Sequence, residues 1–249
     1  MPPKGSSLVT NEEWKRWGEV DPLWGVAFWG GKQRGGPHPW TDADFYALGG
    51  SDWSDFLGRW KRYGLDKASC VEIGCGAGRI TAQLVHHFGE VHALDVSEGM
   101  LNYARPRVTE AKFYLTDGVR IPLGDDTVTS AFSTHVFQHL DSPEASVQVF
   151  SEIYRVIAPA ATMMIHLPIY SWPLSRGLFG RQFRIWQWLS RQKARVDRLR
   201  GVPTMRGTWY EVGWLAQALA NLGFVDVEFL IFRVSSNGGL HPFVLARKP

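Results

Sequence analysis

The sequence predicts an α/β domain, a doubly wound, mostly parallel sheet of seven strands with an antiparallel last strand, carrying an aromatic N-terminal cap and a helical lid insertion. Three observations lead there. From Ala68 onward, short apolar runs alternate with stretches of helical period. The first run empties into Gly74-Cys75-Gly76-Ala77-Gly78 before a helical stretch begins. Finally, Ser235-Ser236-Asn237-Gly238-Gly239 is a tight turn between the last two apolar runs, which pairs them antiparallel.

In chain order, the strands are expected at 68–73, 91–95, 112–116, 128–133, 162–167, 225–232 and 240–248. Helices are expected at 79–88, where Ile80, Leu84 and Val85 share one side, at 98–105 behind a Ser97 cap, at 144–157, and at 209–222 ending on Gly223. Residues 1–66 hold seven of the twelve tryptophans among repeated Gly-Gly pairs, with short helices expected only at 12–17 and, capped by Thr41, at 41–48. The chain then divides into this cap, a core at 67–168, an insertion at 169–208 and a final helix and hairpin at 209–249, all within one domain.

Composition narrows the function classes. No apolar run reaches the roughly 18 residues that span a bilayer, so integral membrane association is not expected. No secretory signal is recognisable, and a cytoplasmic protein is expected. Cys70 and Cys75, the only cysteines, supply neither a disulfide framework nor a four-ligand metal site, and no metal is expected. The net charge of +3 is unevenly spread: residues 171–206 carry nine Lys or Arg against Asp197 alone, a local +8 that leaves the remainder at −5.

A strand, glycine turn and helix make a crevice in which backbone N–H groups approach a nucleotide-type cofactor. The dinucleotide pattern G-x-G-x-x-G needs a third glycine where this chain has Arg79; Gly74, Gly76 and Gly78 form G-x-G-x-G instead, with Glu72 just before them. Asp95 ends the second strand 21 residues after Gly74, where a carboxylate accepts from two ribose hydroxyls.

Val71 to Gly78, Leu94-Asp95-Val96-Ser97 with Met100-Leu101, Asp117 ahead of Ile121-Pro122, and Glu152 to Ile157 with Pro159 together resemble the ordered motifs of the class I S-adenosylmethionine-dependent methyltransferases. The resemblance covers about Ala68 to Leu167 and, less specifically, the final helix and hairpin. It implies a Rossmann-like fold, S-adenosyl-L-methionine as cofactor and methyl transfer as the activity. On this likeness the backbone from Gly74 to Gly78 lies against the methionine part, Asp95 holds the ribose, Met100 packs on adenine and Asp117 accepts from its amine. Ser133 or Thr134 meets the methionine end, and Glu72, Cys75, Val96 and Gly118 complete the implied cofactor set. The chain departs from the family pattern at Thr129, where Asp is common, and at Ala160-Ala161, where Gly-Gly is common.

For catalysis the candidates are His135 and His139 after the fourth strand and His166 at the end of the fifth, though each reads more readily as a packing residue. The tryptophan-rich cap reads either as a cover for the sheet or as a pocket wall; Trp40, Tyr46 and Tyr170 are the candidate acceptor contacts. The basic insertion carries an apolar stripe of Ile185, Leu189, Val196 and Leu199, which fits a substrate lid or a solvated amphipathic helix. The favoured function is methyl transfer to oxygen or nitrogen of a small-molecule acceptor. RNA methylation is the alternative that the basic segment supports, and a catalytically silent cofactor-binding interaction protein is a third.

Overall fold

The computed structural model describes residues 11–171 and 207–249, so most of the basic insertion, with its apolar stripe, lies outside the described residues. The described helices are α1 (Asn11–Val20), α2 (Pro22–Val26), α3 (Asp42–Tyr63), α4 (Thr81–Leu84), α5 (Glu98–Ala104), α6 (Pro143–Val156) and α7 (Val212–Asn221). The strands are β1 (Ser69–Ile73), β2 (Glu90–Asp95), β3 (Lys112–Leu115), β4 (Val128–Ser133), β5 (Ile157–His166), β6 (Ile169–Tyr170), β7 (Tyr210–Glu211), β8 (Val225–Arg233) and β9 (Leu240–Arg247).

Seven strands form one sheet in the order β3-β2-β1-β4-β5-β9-β8. The first five run parallel, and β9 is antiparallel to both β5 and β8. The strand order reverses between β1 and β4, and the crevice beyond their C-terminal ends is where an open α/β sheet receives its ligand. A second, two-stranded sheet pairs β6 with β7 in parallel, which brings the two ends of the basic insertion side by side. Two-residue strands leave no periodicity to read, and neither was anticipated.

Both faces of the sheet are covered. On one, Val149, Phe150 and Ile153 of α6 and Leu215 and Leu219 of α7 pack with Met163, Ile165 and Val244. On the other, Trp53, Phe56 and Trp60 of α3 pack on Cys70, Phe132, Met164 and Phe243. Trp60 is fully buried, and its indole N–H donates to Thr162 Oγ1 at 2.9 Å. Complete burial of rings of this size contributes about 2–3 kcal/mol each, enough to dock α3 onto the sheet.

The helix expected over 41–48 starts as anticipated, with Thr41 Oγ1 accepting from the Asp44 N–H at 3.1 Å, but continues through Gly49-Gly50 to Tyr63. Glycine is required at position 49 because α3 crosses the chain at Arg79 there: a Cβ on Gly49 would stand 2.3 Å from the Arg79 carbonyl oxygen. The helix expected over 79–88 is regular only across Thr81–Leu84, since His86 and His87 donate to Gln83 and Leu84 in tighter, three-residue turns before the chain enters β2.

Helix α1 reaches farther across the molecule than its ten residues suggest. Gly18 crosses Gly99 of α5 so closely that a Cβ on Gly18 would lie 2.1 Å from Ser97 Oγ and 2.9 Å from the Met100 nitrogen. This crossing sets the N-terminal helix over the start of α5, with Trp17 packed near Met100 in one buried cluster. Gly18→Ala is therefore expected to lower stability by about 1–3 kcal/mol, the range for overpacking a tight contact. Urea denaturation checks this, and a variant as stable as the wild type contradicts the close crossing.

Candidate active site

The C-terminal ends of β1, β2 and β4 and the cap enclose a cavity of about 310 Å³, within the range of small-molecule pockets of about 300–1,000 Å³. At one end its wall includes Asp95, Val96, Met100 and Gly118; Gly74 and Gly76 form its middle; Thr134, His135 and Asn237 stand at the other end.

The glycine turn is held by β2. The Gly74 and Cys75 N–H groups both donate to the Leu94 carbonyl, at 2.8 and 2.9 Å, and the Gly76 N–H donates to Asp95 Oδ2 at 2.8 Å. Gly74 and Gly76 have φ of +72° and +54°, a backbone that favours glycine, and added Cβ atoms would strike Val136 and Val26. The other Asp95 oxygen, Oδ1, accepts from the Ser97 N–H at 2.9 Å. A carboxylate accepts up to about four hydrogen bonds, and these N–H groups together with that of Val96 leave acceptor capacity for a ligand. Burial raises the Asp95 pKa to about 6, against the lowering effect of the Ser97 and Gly76 N–H groups.

Glu72 stands behind the turn. Its Oε2 accepts from Thr81 Oγ1 at 2.6 Å, and burial raises its pKa to about 7. Like Cys75, Gly78 and Ser133, it supports the turn without entering the cavity wall. Ser133 Oγ donates to the Ile73 carbonyl at 2.8 Å, whereas Thr134 lines the cavity with its hydroxyl buried and unpartnered. Asp117 lies on the adjoining loop, exposed, where its Oδ1 accepts from the Val119 and Arg120 N–H groups at 2.9 and 2.8 Å.

The cap supplies wall residues that the sequence did not single out. Asn11 and Trp14 of α1 face the cavity, and the Asn11 side-chain amide donates to the Asp117 carbonyl at 2.6 Å. Val26 and Trp29 close the side over the glycine turn. Trp40 and Tyr46 stand outside the described wall: the Trp40 indole N–H donates to the Ala27 carbonyl at 2.8 Å and the Tyr46 hydroxyl to the Ala77 carbonyl at 3.0 Å. Trp40 thus ties the cap to itself, and Tyr46 braces the cap against the turn. Tyr170 lies in β6, also outside that wall. Arg79, at the position that excludes the dinucleotide pattern, lines the cavity and forms a buried ion pair with Asp52 of α3.

Of the three histidines, His135 and His139 line the cavity and His166 stands behind His135, with ring centroids 4.4 Å apart. His135 holds a left-handed backbone, with φ of +60°. His139 packs its ring on Trp14 at 4.9 Å, and its Nε2 lies 2.9 Å from Gln138 Nε2. Burial lowers the pKa of His139 to about 4 and that of His166 to about 3, so both rings are neutral near pH 7. A fourth histidine, His241 of β9, joins His135 and His166 with centroids 5.2 Å from each. Sequence spacing gave no sign of it, since antiparallel pairing alone brings β9 beside β5.

Residues 71–165 match a family model described as a methyltransferase domain. Within that segment, which is less than half of the chain, the sheet order and the turn-and-acid geometry agree with a class I S-adenosylmethionine-dependent methyltransferase domain. Among curated relatives, it is 28% identical over 171 residues to the malonyl-[acyl-carrier protein] O-methyltransferase of Yersinia pestis, covering 69% of this chain and 61% of that protein. It is 33% identical over 102 residues to the biotin biosynthesis bifunctional protein of Cellvibrio japonicus, covering 41% of this chain and 20% of the relative. The chain thus spans less than two thirds of the length of either. Among solved structures, it superposes on magnesium protoporphyrin IX methyltransferase from Synechocystis with a TM-score of 0.60 at 12% identity, covering 96% of this chain and all of the other, a likeness of fold.

The buried carboxyl behind the turn gives a signed pH prediction. Glu72 has its folded pKa raised from 4.5 to about 7, so its contribution to stability is fully present below the unfolded value and is lost as pH rises through about 7. Glu72→Gln removes this loss. Its stability relative to wild type should increase between pH 5 and 8, by about 2–3 kcal/mol at most. Chemical denaturation at the two pH values tests this, and a pH-independent difference would show that Glu72 is ionised in the fold throughout.

Proposed function

We propose that this protein binds S-adenosyl-L-methionine in the crevice and transfers its methyl group to an oxygen or nitrogen of a small-molecule acceptor. The carrying observation is one continuous cavity, with Asp95, Met100 and Gly118 at one end and Thr134, His135 and Asn237 at the other. The residues present fit the cofactor: Asp95 keeps acceptor capacity for ribose hydroxyls, and Thr134 lines the cavity where the methionine end would lie, with a hydroxyl that has no partner in the protein. Of the two hydroxyls considered for that contact, Ser133 Oγ is already bonded to Ile73, which favours Thr134. Met100 and Val96 give the adenine an apolar bed, and Asp117 Oδ2 is the acceptor for its exocyclic amine.

When bound, the cofactor supplies a methyl group on a sulfonium, already activated toward displacement. The protein's task is then to align the acceptor in line with the departing sulfur and to exclude water, worth several orders of magnitude in rate. Carboxylates and neutral amines attack without first losing a proton, so no protein base is assigned. Trp14, Trp29 and Val26 close the cavity toward solvent, and the cap is in this reading the element that keeps water out. The O-methyltransferase named among the relatives supports oxygen as the accepting atom.

Release of S-adenosylhomocysteine, measured against a panel of small carboxylates and amines, tests the reaction; no turnover with any acceptor by a protein that binds the cofactor would overturn it. Asp95→Ala should weaken cofactor binding by roughly 1.5–3 kcal/mol, the worth of hydrogen bonds to a charged group. The ribose hydroxyls need the ionised carboxylate, so wild-type affinity should also fall as pH drops below about 6, and Asp95→Asn should remove that dependence. Calorimetry reads both effects, and an affinity indifferent to position 95 and to pH would place the ribose elsewhere.

A further inference from the structure

We propose that His135, His166 and His241 form a binding site for one divalent transition-metal ion of the zinc type at the acceptor end of the cavity. The three come from adjacent strands at one sheet edge: His135 follows β4, His166 ends β5, and His241 lies in β9, the antiparallel partner of β5. One ring nitrogen from each lies within 4.8 Å of the other two. A tetrahedral zinc site with bonds of about 2.0–2.1 Å sets its nitrogens roughly 3.3 Å apart, so modest side-chain adjustment closes this set on an ion. Imidazole is the ligand that suits zinc and its neighbours.

The bonding around the rings supports a missing partner. His241 Nδ1 is buried and has no hydrogen-bond partner. The contact between His241 Nε2 and Asn237 Nδ2 is 3.3 Å, and the bond from the His135 N–H to His166 Nδ1 is 3.4 Å, both at the long end for such bonds. The charged groups closest to the cluster are Arg79, with its ion-pair partner Asp52, and Asp55. Arg79 and Asp52 offset one another, so the guanidinium does not stand as an uncompensated cation against the ion.

Three protein ligands leave at least one coordination position for a substrate. His135 and Asn237 line the cavity, so that position faces the acceptor end, and an anionic oxygen such as a carboxylate is the group it would hold. This role rests on the methyl-transfer reading; the metal site itself does not. It departs from the sequence, which led to no expectation of a metal, because no ligand spacing along the chain joins positions 135, 166 and 241.

The test uses the full chain, freed of any affinity tag and of metal, and titrated with Co²⁺ alone and then with Zn²⁺. One Co²⁺ per chain with the visible bands of a four- or five-coordinate ion, displaced by Zn²⁺, is the expected result. His241→Gln and His166→Gln should each weaken binding by at least about tenfold, while S-adenosylhomocysteine affinity in the same samples stays within about threefold. If a variant does not fold, the wild type still decides, through a rise in Tm with one equivalent of Zn²⁺. No saturable binding, or binding that survives both substitutions, overturns the proposal. Loss of cofactor binding by the wild type would instead count against the methyltransferase reading and leave the metal result standing.

Discussion

Asp95 joins the end of β2 to the glycine turn after β1 and to the start of α5, one carboxylate oxygen accepting from the Gly76 N–H and the other from the Ser97 N–H. Nearly everything at the crevice depends on that bridge. It fixes the left-handed turn against the strand that follows, and it starts α5 at Ser97, whose hydroxyl then caps the helix at the Met100 N–H. It does so from a buried position where ionisation is costly, as the raised pKa of about 6 records. Glu72, raised to about 7 a short way behind the same turn, adds a second buried acid. Two buried carboxyls with elevated pKa values beside a glycine turn mark the region as a candidate functional site.

The cap completes what this bridge begins. Helix α1 lies on α5 through the Gly18–Gly99 crossing, so Asn11 and Trp14 reach the cavity from a segment more than fifty residues ahead of the first sheet strand. Helix α3 covers one sheet face with Trp53 and Trp60 and pairs Asp52 with Arg79. The tryptophans of the first sixty residues therefore serve two places: some form the core under α3, and others enclose the cavity. A wall built of rigid aromatic rings gives the site a fixed shape and a low dielectric, and both strengthen the few polar contacts inside.

The sheet was legible because its signals are local. Alternating periods fixed the strands to within a few residues, except β5, which begins five residues before its expected start. The turn and Asp95 were legible for a related reason, since a glycine cluster and an acid at the next strand end carry their meaning in spacing. Residues that meet only through tertiary packing were not. Gly49-Gly50 reads as a turn by composition, yet it is helical, and Gly49 lacks a side chain where α3 passes close to the Arg79 backbone. Asn11 and Trp14 carry no local mark of the cavity they face, and Trp40 and Tyr46 have the aromatic character of pocket residues but spend their polar atoms bracing the cap. His241 joins His135 and His166 only once β9 pairs with β5, so no inspection of one segment reveals the cluster.

The central claim is that the turn and Asp95 are built for an adenosyl sulfonium cofactor and not for a dinucleotide. Arg79, ion-paired and buried where a third glycine would allow close approach of a pyrophosphate, is the residue on which that distinction turns. Titration of the purified protein with S-adenosylhomocysteine and, separately, with NAD measures it most directly. Saturable binding of S-adenosylhomocysteine at one per chain, with no heat from NAD, is the result this account predicts. Binding of NAD in its place would contradict it.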